Sequence, residues 1–239
     1  MSVLLLRLAG PMQAWGDSSR FNHRGTRREP TKSGVAGLLA AAQGRRRTDP
    51  LEDLANLRFA VRTDQVGRVE RDFHTSIDWR VWDSNPKRAS KPLTNRDYLT
   101  DACFVVGVEG PRELIESLAE AVRAPVFPLY LGRRACPPSG RVLLGVEEGE
   151  LDGVLRETPW RAADWYRKRM PKTVQLSMAR DAAPGERADE MVADVPVSFD
   201  PTDRRHGMRG VVHGWVTVNN DAGRPVINDH DPFALLGGE

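Results

Sequence analysis

The sequence predicts an α+β protein, with a ferredoxin-like domain over residues 1–146 and a small β-rich domain and tail over 147–239. Three observations predict it. Apolar strand runs and helical runs follow one another as strand, helix, strand, strand, helix, strand, the split βαβ order also used by RNA-recognition (RRM-like) modules. A long polar insertion, residues 65–101, separates the second strand from the third. Beyond Glu150 the runs shorten and alternate, which marks a second group of strands.

Taken in order, Val3–Leu6 is an apolar run suited to a buried strand that ends near Leu8, where Gly10-Pro11 breaks it. An arginine-rich connection runs from Asp17 to Pro30. A loop of that length in a compact domain is functional or disordered, and its charge favours ordering on a polyanion. Thr31 or Ser33 caps a helix over 35–43 that Gly44 ends, and Asp49-Pro50 starts a short helix to about Asn56. Leu57–Thr63 alternates as a half-buried strand, whereas Cys103–Val108 is continuously apolar and so central. Gly110-Pro111 opens a helix over 112–123 with Leu114, Ile115, Leu118, Ala119 and Val122 on one face, and Arg141–Val146 is the fourth strand. Thr173–Met178, Val192–Phe199 and Gly210–Val218 read as further strands. The tail from Asn219 to Glu239 has little apolar periodicity and is expected to order only against a partner.

A chain of 239 residues can bury an adequate core. No apolar run approaches the roughly 20 residues that span a bilayer, so a soluble cytoplasmic protein without membrane contact is expected. Cys103 and Cys136 make neither a disulfide framework nor a zinc site, and no metal or cofactor is expected. Net charge is only +2, but basic residues crowd 20–32 and 45–47 and recur at 87–96, 133–134 and 167–172. Acidic residues gather at 147–152 and 181–203, which predicts a basic and an acidic face.

Two stretches carry the chemistry. Pro128–Pro138 encloses Tyr130, Gly132, Arg133 and Arg134 between helix-breaking prolines. It reads either as a phosphate cradle of backbone amides and guanidiniums or as a connection whose arginines are merely solvated. The insertion interleaves Phe73, Trp79, Trp82 and Tyr98 with Arg71, Arg80, Lys87, Arg88, Lys91 and Arg96. That mixture suits stacking on unpaired bases, and equally an anchor for a protein partner. Lys32 at a helix N-terminus is open to the same pair of readings, a phosphate site or an ordinary capped core helix.

Four pieces taken together carry a resemblance: Gly10-Pro11-Met12-Gln13-Ala14-Trp15-Gly16, Pro30-Thr31-Lys32-Ser33-Gly34, Arg96-Asp97-Tyr98-Leu99-Thr100-Asp101-Ala102 and Tyr130-Leu131-Gly132-Arg133-Arg134-Ala135-Cys136-Pro137. In order and spacing they resemble the fifth family of CRISPR-associated proteins, in the form of the CasD-like subunits of type I-E Cascade. The likeness is specific over the first 138 residues and loose beyond. It implies a RAMP domain of ferredoxin-like fold with a protruding β-hairpin thumb at 65–101 and a small C-terminal β domain. It also implies a non-catalytic role in antiviral defence: capping one end of the complex, holding the 5′ handle of the crRNA, and touching the backbone and large subunits. Target DNA would be met only through the complex. Carried over by position, Gln13, Trp15, Lys32, Ser33 and Gly34 become candidate handle contacts, and Arg133 and Arg134, with Tyr130 and Gly132, candidate phosphate ligands. Arg24, Arg27 and Arg28 of the basic connection and Trp79, Trp82, Arg88 and Lys91 of the thumb complete the expected RNA-binding set.

A metal-independent endoribonuclease processing CRISPR repeat RNA is the alternative, because relatives in type I-C systems cut the repeat RNA. Such cleavage needs a base, an acid and a cation, for which His74, Tyr98 and Lys91 are the best combination. The processing relatives resemble one another in an adjacent Lys-His pair, and this chain has none. His23, His206, His213 and His230 have no partner at useful sequence spacing, and no Gly-x-x-x-x-Gly-Lys-Ser/Thr run predicts a nucleotide-dependent enzyme.

Overall fold

Strand β1 (Ser2–Ala9) shows the period of two that organises the molecule. Leu4, Leu6 and Leu8 enter one apolar cluster, while Val3 and Leu5 enter a second on the opposite side of the sheet. In this computed structural model the described residues are 1–16, 19, 20, 22–82, 84 and 89–224. After β1 come β2 (Met12–Gln13), β3 (Ser19–Arg20), β4 (His23–Arg24), α1 (Lys32–Ala42) and α2 (Glu52–Ala55). The middle of the chain forms β5 (Arg58–Gln65), β6 (Arg68–His74), α3 (Trp79–Trp82), β7 (Thr94–Thr100), β8 (Cys103–Gly110), α4 (Arg112–Arg123) and β9 (Leu143–Glu148). The last part forms α5 (Leu151–Glu157), α6 (Asp164–Arg167), β10 (Thr173–Asp181), β11 (Glu190–Ser198) and β12 (Arg205–Asn219).

The fold is α+β. Seven antiparallel strands make one sheet in the order β11-β12-β10-β5-β8-β1-β9. Helices α1 and α4 close one face, with Ile115, Leu118, Ala119 and Val122 of α4 buried as its periodicity predicts. The opposite face is closed by Leu151, Val154 and Leu155 of α5 and by Trp160. Both faces of the central strands of this sheet are therefore covered among the described residues, so those strands offer no bare face for stacking RNA as in an RRM.

The strands beyond residue 147 do not make a sheet of their own. β10 pairs with β5 from Met178↔Arg62 to Arg180↔Ala60, so the sheet crosses the expected boundary unbroken. The physical reason is the outer edge of β5, whose unpaired backbone groups would otherwise stay exposed.

The insertion at 65–101 contains an antiparallel hairpin, β6 against β7, in register from Arg68↔Thr100 to His74↔Thr94. The other edge of β7 pairs with β2 and, in parallel, with β4, making a second sheet beside the first. β6 is exposed throughout, and α3 lies beyond it. Arg88, the Trp82 side chain and residues 225–239 of the tail lie outside the described residues.

Candidate nucleic-acid interface

The loop at 128–138 is clamped onto the segment after β1. Ala14 N donates to Leu131 O at 3.0 Å, and Cys136 N donates to Arg133 O at 2.9 Å, closing the turn. Gly132 has φ +85°, and a Cβ there would stand 1.7 Å from the Ala14 carbonyl oxygen. Gln13 lies under this contact, with Nε2 donating to Ala102 O at 2.8 Å and Oε1 accepting from Trp15 Nε1 at 3.0 Å. The Trp15 ring meets the start of α1, where a Cβ on Gly34 would be 2.9 Å from it. The four resembling pieces, far apart in the chain, thus pack as one unit.

That unit shapes a cleft of about 360 Å³ lined by Arg47, Arg96, Tyr98, Tyr130, Arg133 and Arg134 with Gly132 and Ala135. The Arg133 guanidinium stacks 4.7 Å over the Tyr98 ring. It also donates to the carbonyls of Asp97 at 2.9 Å and Arg24 at 2.8 Å. Arg133 is therefore a strut that joins loop, β7 and β4, yet it keeps its charge because carbonyls do not neutralise it. Arg134 and Arg47 are exposed. Arg96 holds a buried Nε without a partner. None of these four arginines is ion-paired among the described residues, and no carboxylate lines the cleft. Uncompensated guanidiniums beside the half-buried Tyr130 can take phosphate oxygens and a base, while Tyr98 is buried beneath Arg133.

Other expected contacts are placed differently. Gln13 and Trp15 are buried to within 1% of full burial, with their polar atoms used internally, so they support the cleft rather than touch a ligand. Gly34 is a close-packing glycine, and Ser33 lies beside the cap Thr31, whose hydroxyl accepts from Gly34 N at 3.2 Å. Lys32 is buried: Nζ reaches Asp181 at 3.0 Å, and its backbone N donates to Asp194 at 2.8 Å. Arg209 bridges those two carboxylates at 2.7 and 2.6 Å, so the Lys32 charge is neutralised inside the protein. The capped core helix, not the phosphate site, is what forms there. Arg27 pairs with Glu190 at 2.9 Å, and Lys91 with Asp78 at 3.0 Å. Arg24 and Arg28 are exposed, as is Trp79 at 70%.

The nuclease combination does not assemble. His74 stands opposite Thr94, whereas Tyr98 stands opposite Glu70, four residues or about 13 Å along β6. Lys91 is already held by Asp78, whose carboxyl its contacts with Arg80 and then Lys91 keep far below the usual range. Two histidines without useful sequence neighbours do gain partners in space. His23 Nε2 lies 2.7 Å from Asp97, which also accepts from Arg71 at 2.9 Å. Burial pushes the Asp97 carboxyl up, but the hydrogen bonds from Arg71 and His23 outweigh it and hold it low. His213 Nε2 lies 3.4 Å from Glu190. Sequence reasoning missed Arg47 and Arg96 as cleft residues, although the basic run 45–47 and the piece opening at Arg96 were both visible.

The sequence profile of the family described as CRISPR-associated protein (Cas_Cas5) matches residues 3–212. The chain belongs to the Cas5 family of CRISPR-associated proteins. This Cas5-family chain is 40% identical over 158 residues to the CRISPR system Cascade subunit CasD of Escherichia coli K12, a match covering 60% of the chain and 70% of CasD. Among solved structures it resembles a chain of a CRISPR RNA-guided surveillance complex, with TM-score 0.76 and 34% identity over 98% of each chain. A crystal structure of a Cas protein matches with TM-score 0.69 and 36% identity, over 93% of this chain and 98% of that one. The likeness that was specific only over the first 138 residues thus extends across the described C-terminal strands.

Proposed function

We propose that this Cas5-family protein is a non-catalytic, RNA-binding subunit of a type I-E Cascade surveillance complex, and that its arginine cleft holds the 5′ handle of the crRNA. The observation that carries the reading is the cleft itself: four arginines without carboxylate partners among the described residues, beside two tyrosines. The spatial order β9-β1-β8-β5, with α1 and α4 on one face, supports a ferredoxin-like RAMP core. The β6–β7 hairpin is read as the thumb. It exposes Val69, Phe73, Ile77 and Trp79, an apolar and aromatic row suited to the adjoining backbone subunit and the guide it carries. Among the described residues no helix is long and apolar enough to cross a membrane. We place the assembly in the cytoplasm.

The test is RNA binding by the purified chain with Arg47 and Arg134 both changed to alanine. At about 0.7 per neutralised phosphate of a single strand, removing two contacts should lower the slope of log K against log salt by about 1.4. An unchanged slope and affinity would remove the cleft from the interface. End-labelled repeat RNA incubated with excess wild-type protein should stay intact. Cleavage at a single position would restore the processing nuclease.

A further inference from the structure

A second depression, of about 330 Å³, is lined by Arg7, Gln65, Asp101, Ser139 and Trp165, with small residues between them. It neighbours the cleft through one loop, since Tyr130 and Gly132 to Ala135 line the cleft and Ser139 lines this depression. We infer that it receives one unpaired nucleobase of the bound guide RNA, stacked on Trp165. The inference rests on the RNA-binding reading above and deepens it.

Trp165 is half exposed but its ring is not free to swing. Tyr166 meets it edge-on at 5.7 Å, and Tyr166 in turn meets Trp160 at 6.2 Å. Trp160 is buried and anchored, its Nε1 donating to Asp64 O at 2.7 Å. This ladder runs from the apolar cluster under the sheet to the surface. The Arg169 guanidinium lies 5.3 Å over the Trp165 ring, adding a cation to the platform. A fixed indole with a guanidinium on it is the kind of surface on which an unstacked base lies, whatever its identity.

The rest of the lining suits the edge of a base. The Gln65 side chain is committed at both ends: Nε2 donates to Asp101 O at 2.5 Å, and Oε1 accepts from Ala163 N at 3.0 Å. It fixes Asp101, which takes φ 55° and is exposed. Arg7 Nη1 donates to Ser139 O at 3.2 Å, which sets the opposite wall. A carboxylate on one wall accepts from an exocyclic amino group, which cytosine has and uracil lacks. Arg161, Lys168 and Arg169, close to Trp165 in the chain, are exposed, and none is ion-paired among the described residues. The lining is mixed: Arg7, Gln65, Asp101 and Ser139 stand among small residues such as Ala9, Pro11 and Ala163, and these polar groups suit a base edge better than the apolar socket that a protein anchor favours.

The experiment uses the full chain and single-stranded oligocytidine carrying 5-iodocytosine, photo-crosslinked and mapped by peptide mass spectrometry, with affinities for unmodified oligocytidine and oligouridine. We expect a crosslink in the peptide holding Trp165 and a roughly ten-fold loss of affinity in Trp165→Ala, the size of one stacked base. Trp165→Phe should restore most of that affinity, and Asp101→Asn, tolerated at that backbone angle, should erase a preference for cytosine. The salt slope should be unchanged in these variants, because no phosphate contact is lost. Oligodeoxycytidine is the second arm: weaker crosslinking than RNA supports guide RNA as the source, and stronger crosslinking overturns it in favour of DNA. Wild-type affinity in Trp165→Ala without a crosslink overturns the base site, while a slope that still falls in the Arg47 and Arg134 variant leaves the cleft standing. If Trp165→Ala binds RNA normally but fails to join the assembled complex, Trp165 is a protein anchor and the inference is wrong.

Discussion

Arg62 and Arg134 lie in one protein in opposite surroundings, one buried and ion-paired, the other exposed with no ion pair among the described residues. Arg62 is fully buried on β5. Its guanidinium holds both oxygens of Asp64, at 2.7 and 2.9 Å, and donates to the carbonyls of Leu155, Thr158 and Pro159, so all five of its donors are used. Lys32 and Arg209 are similarly matched, charge for charge, with Asp181 and Asp194. In the cleft the same residue type stands with carbonyls and a tyrosine face, and no carboxylate lines it. The difference shows that arginine richness does not by itself mark a nucleic-acid site. A guanidinium is available to an external phosphate only where the chain itself has not supplied the anion.

The largest expected effect follows from breaking the interior set. Asp64→Ala leaves a buried guanidinium with two donors unpaired and should cost about 3–5 kcal/mol, read as a fall in the urea midpoint. A loss under about 1 kcal/mol would mean that the carbonyls alone satisfy Arg62 and that the interior and cleft arginines differ less than argued. Gly132→Ala comes next. The left-handed backbone and the nearby Ala14 carbonyl should cost about 1–3 kcal/mol and shift the loop that carries Arg133 and Arg134. RNA affinity should fall although no charge has been removed. If RNA binding is untouched while stability falls, the loop does not set the cleft geometry.

What could be read in the sequence was local. Periodicity located β5, β8 and α4 to within a few residues, because Leu57–Thr63, Cys103–Val108 and the stripe Ile115, Leu118, Ala119 and Val122 each carry their own pattern. β10 read as a strand, but nothing in Thr173–Met178 says that it will join β5. The cleft was half legible. Arg133 and Arg134 announced themselves between prolines and a glycine, whereas Arg47 and Arg96 join them only through folding. Lys32 looked like a phosphate ligand because its partner Asp181 is 149 residues away. His23 looked solitary because Asp97 is 74 residues away. Gln13 and Trp15 stood out in a resembling piece, but burial, which decides whether they touch RNA or only support the site, is a property of packing.

Arg27 stands between the two classes and gives the smallest and sharpest test. It belongs to the basic connection but is tied to Glu190, with Glu29 close by. The two carboxyls are held in opposite directions. The hydrogen bond from Arg27 keeps Glu190 below the usual carboxylate value, with His213 adding to it against the cost of burial. Burial pushes Glu29 up, and the charge of Glu190 adds to it, more than Arg27, His213 and Arg209 pull it down. Glu190 therefore contributes stability that is present above the ordinary glutamate value of about 4.3 and lost as pH falls through its lower folded value. Glu29 contributes stability that is present below about 4.3 and lost as pH rises through its higher folded value. Glu190→Gln should lower the melting temperature at pH 7 and converge with wild type toward pH 3. Glu29→Gln should match wild type near pH 4 and exceed it by pH 7. Each difference should be under about 1 kcal/mol, since the pair is partly exposed. Melting curves from pH 3 to 8 decide it: if both variants depart from wild type with the same sign at pH 7, Arg27 does not divide the two carboxyls, and the loop it anchors belongs with the unpaired cations of the cleft.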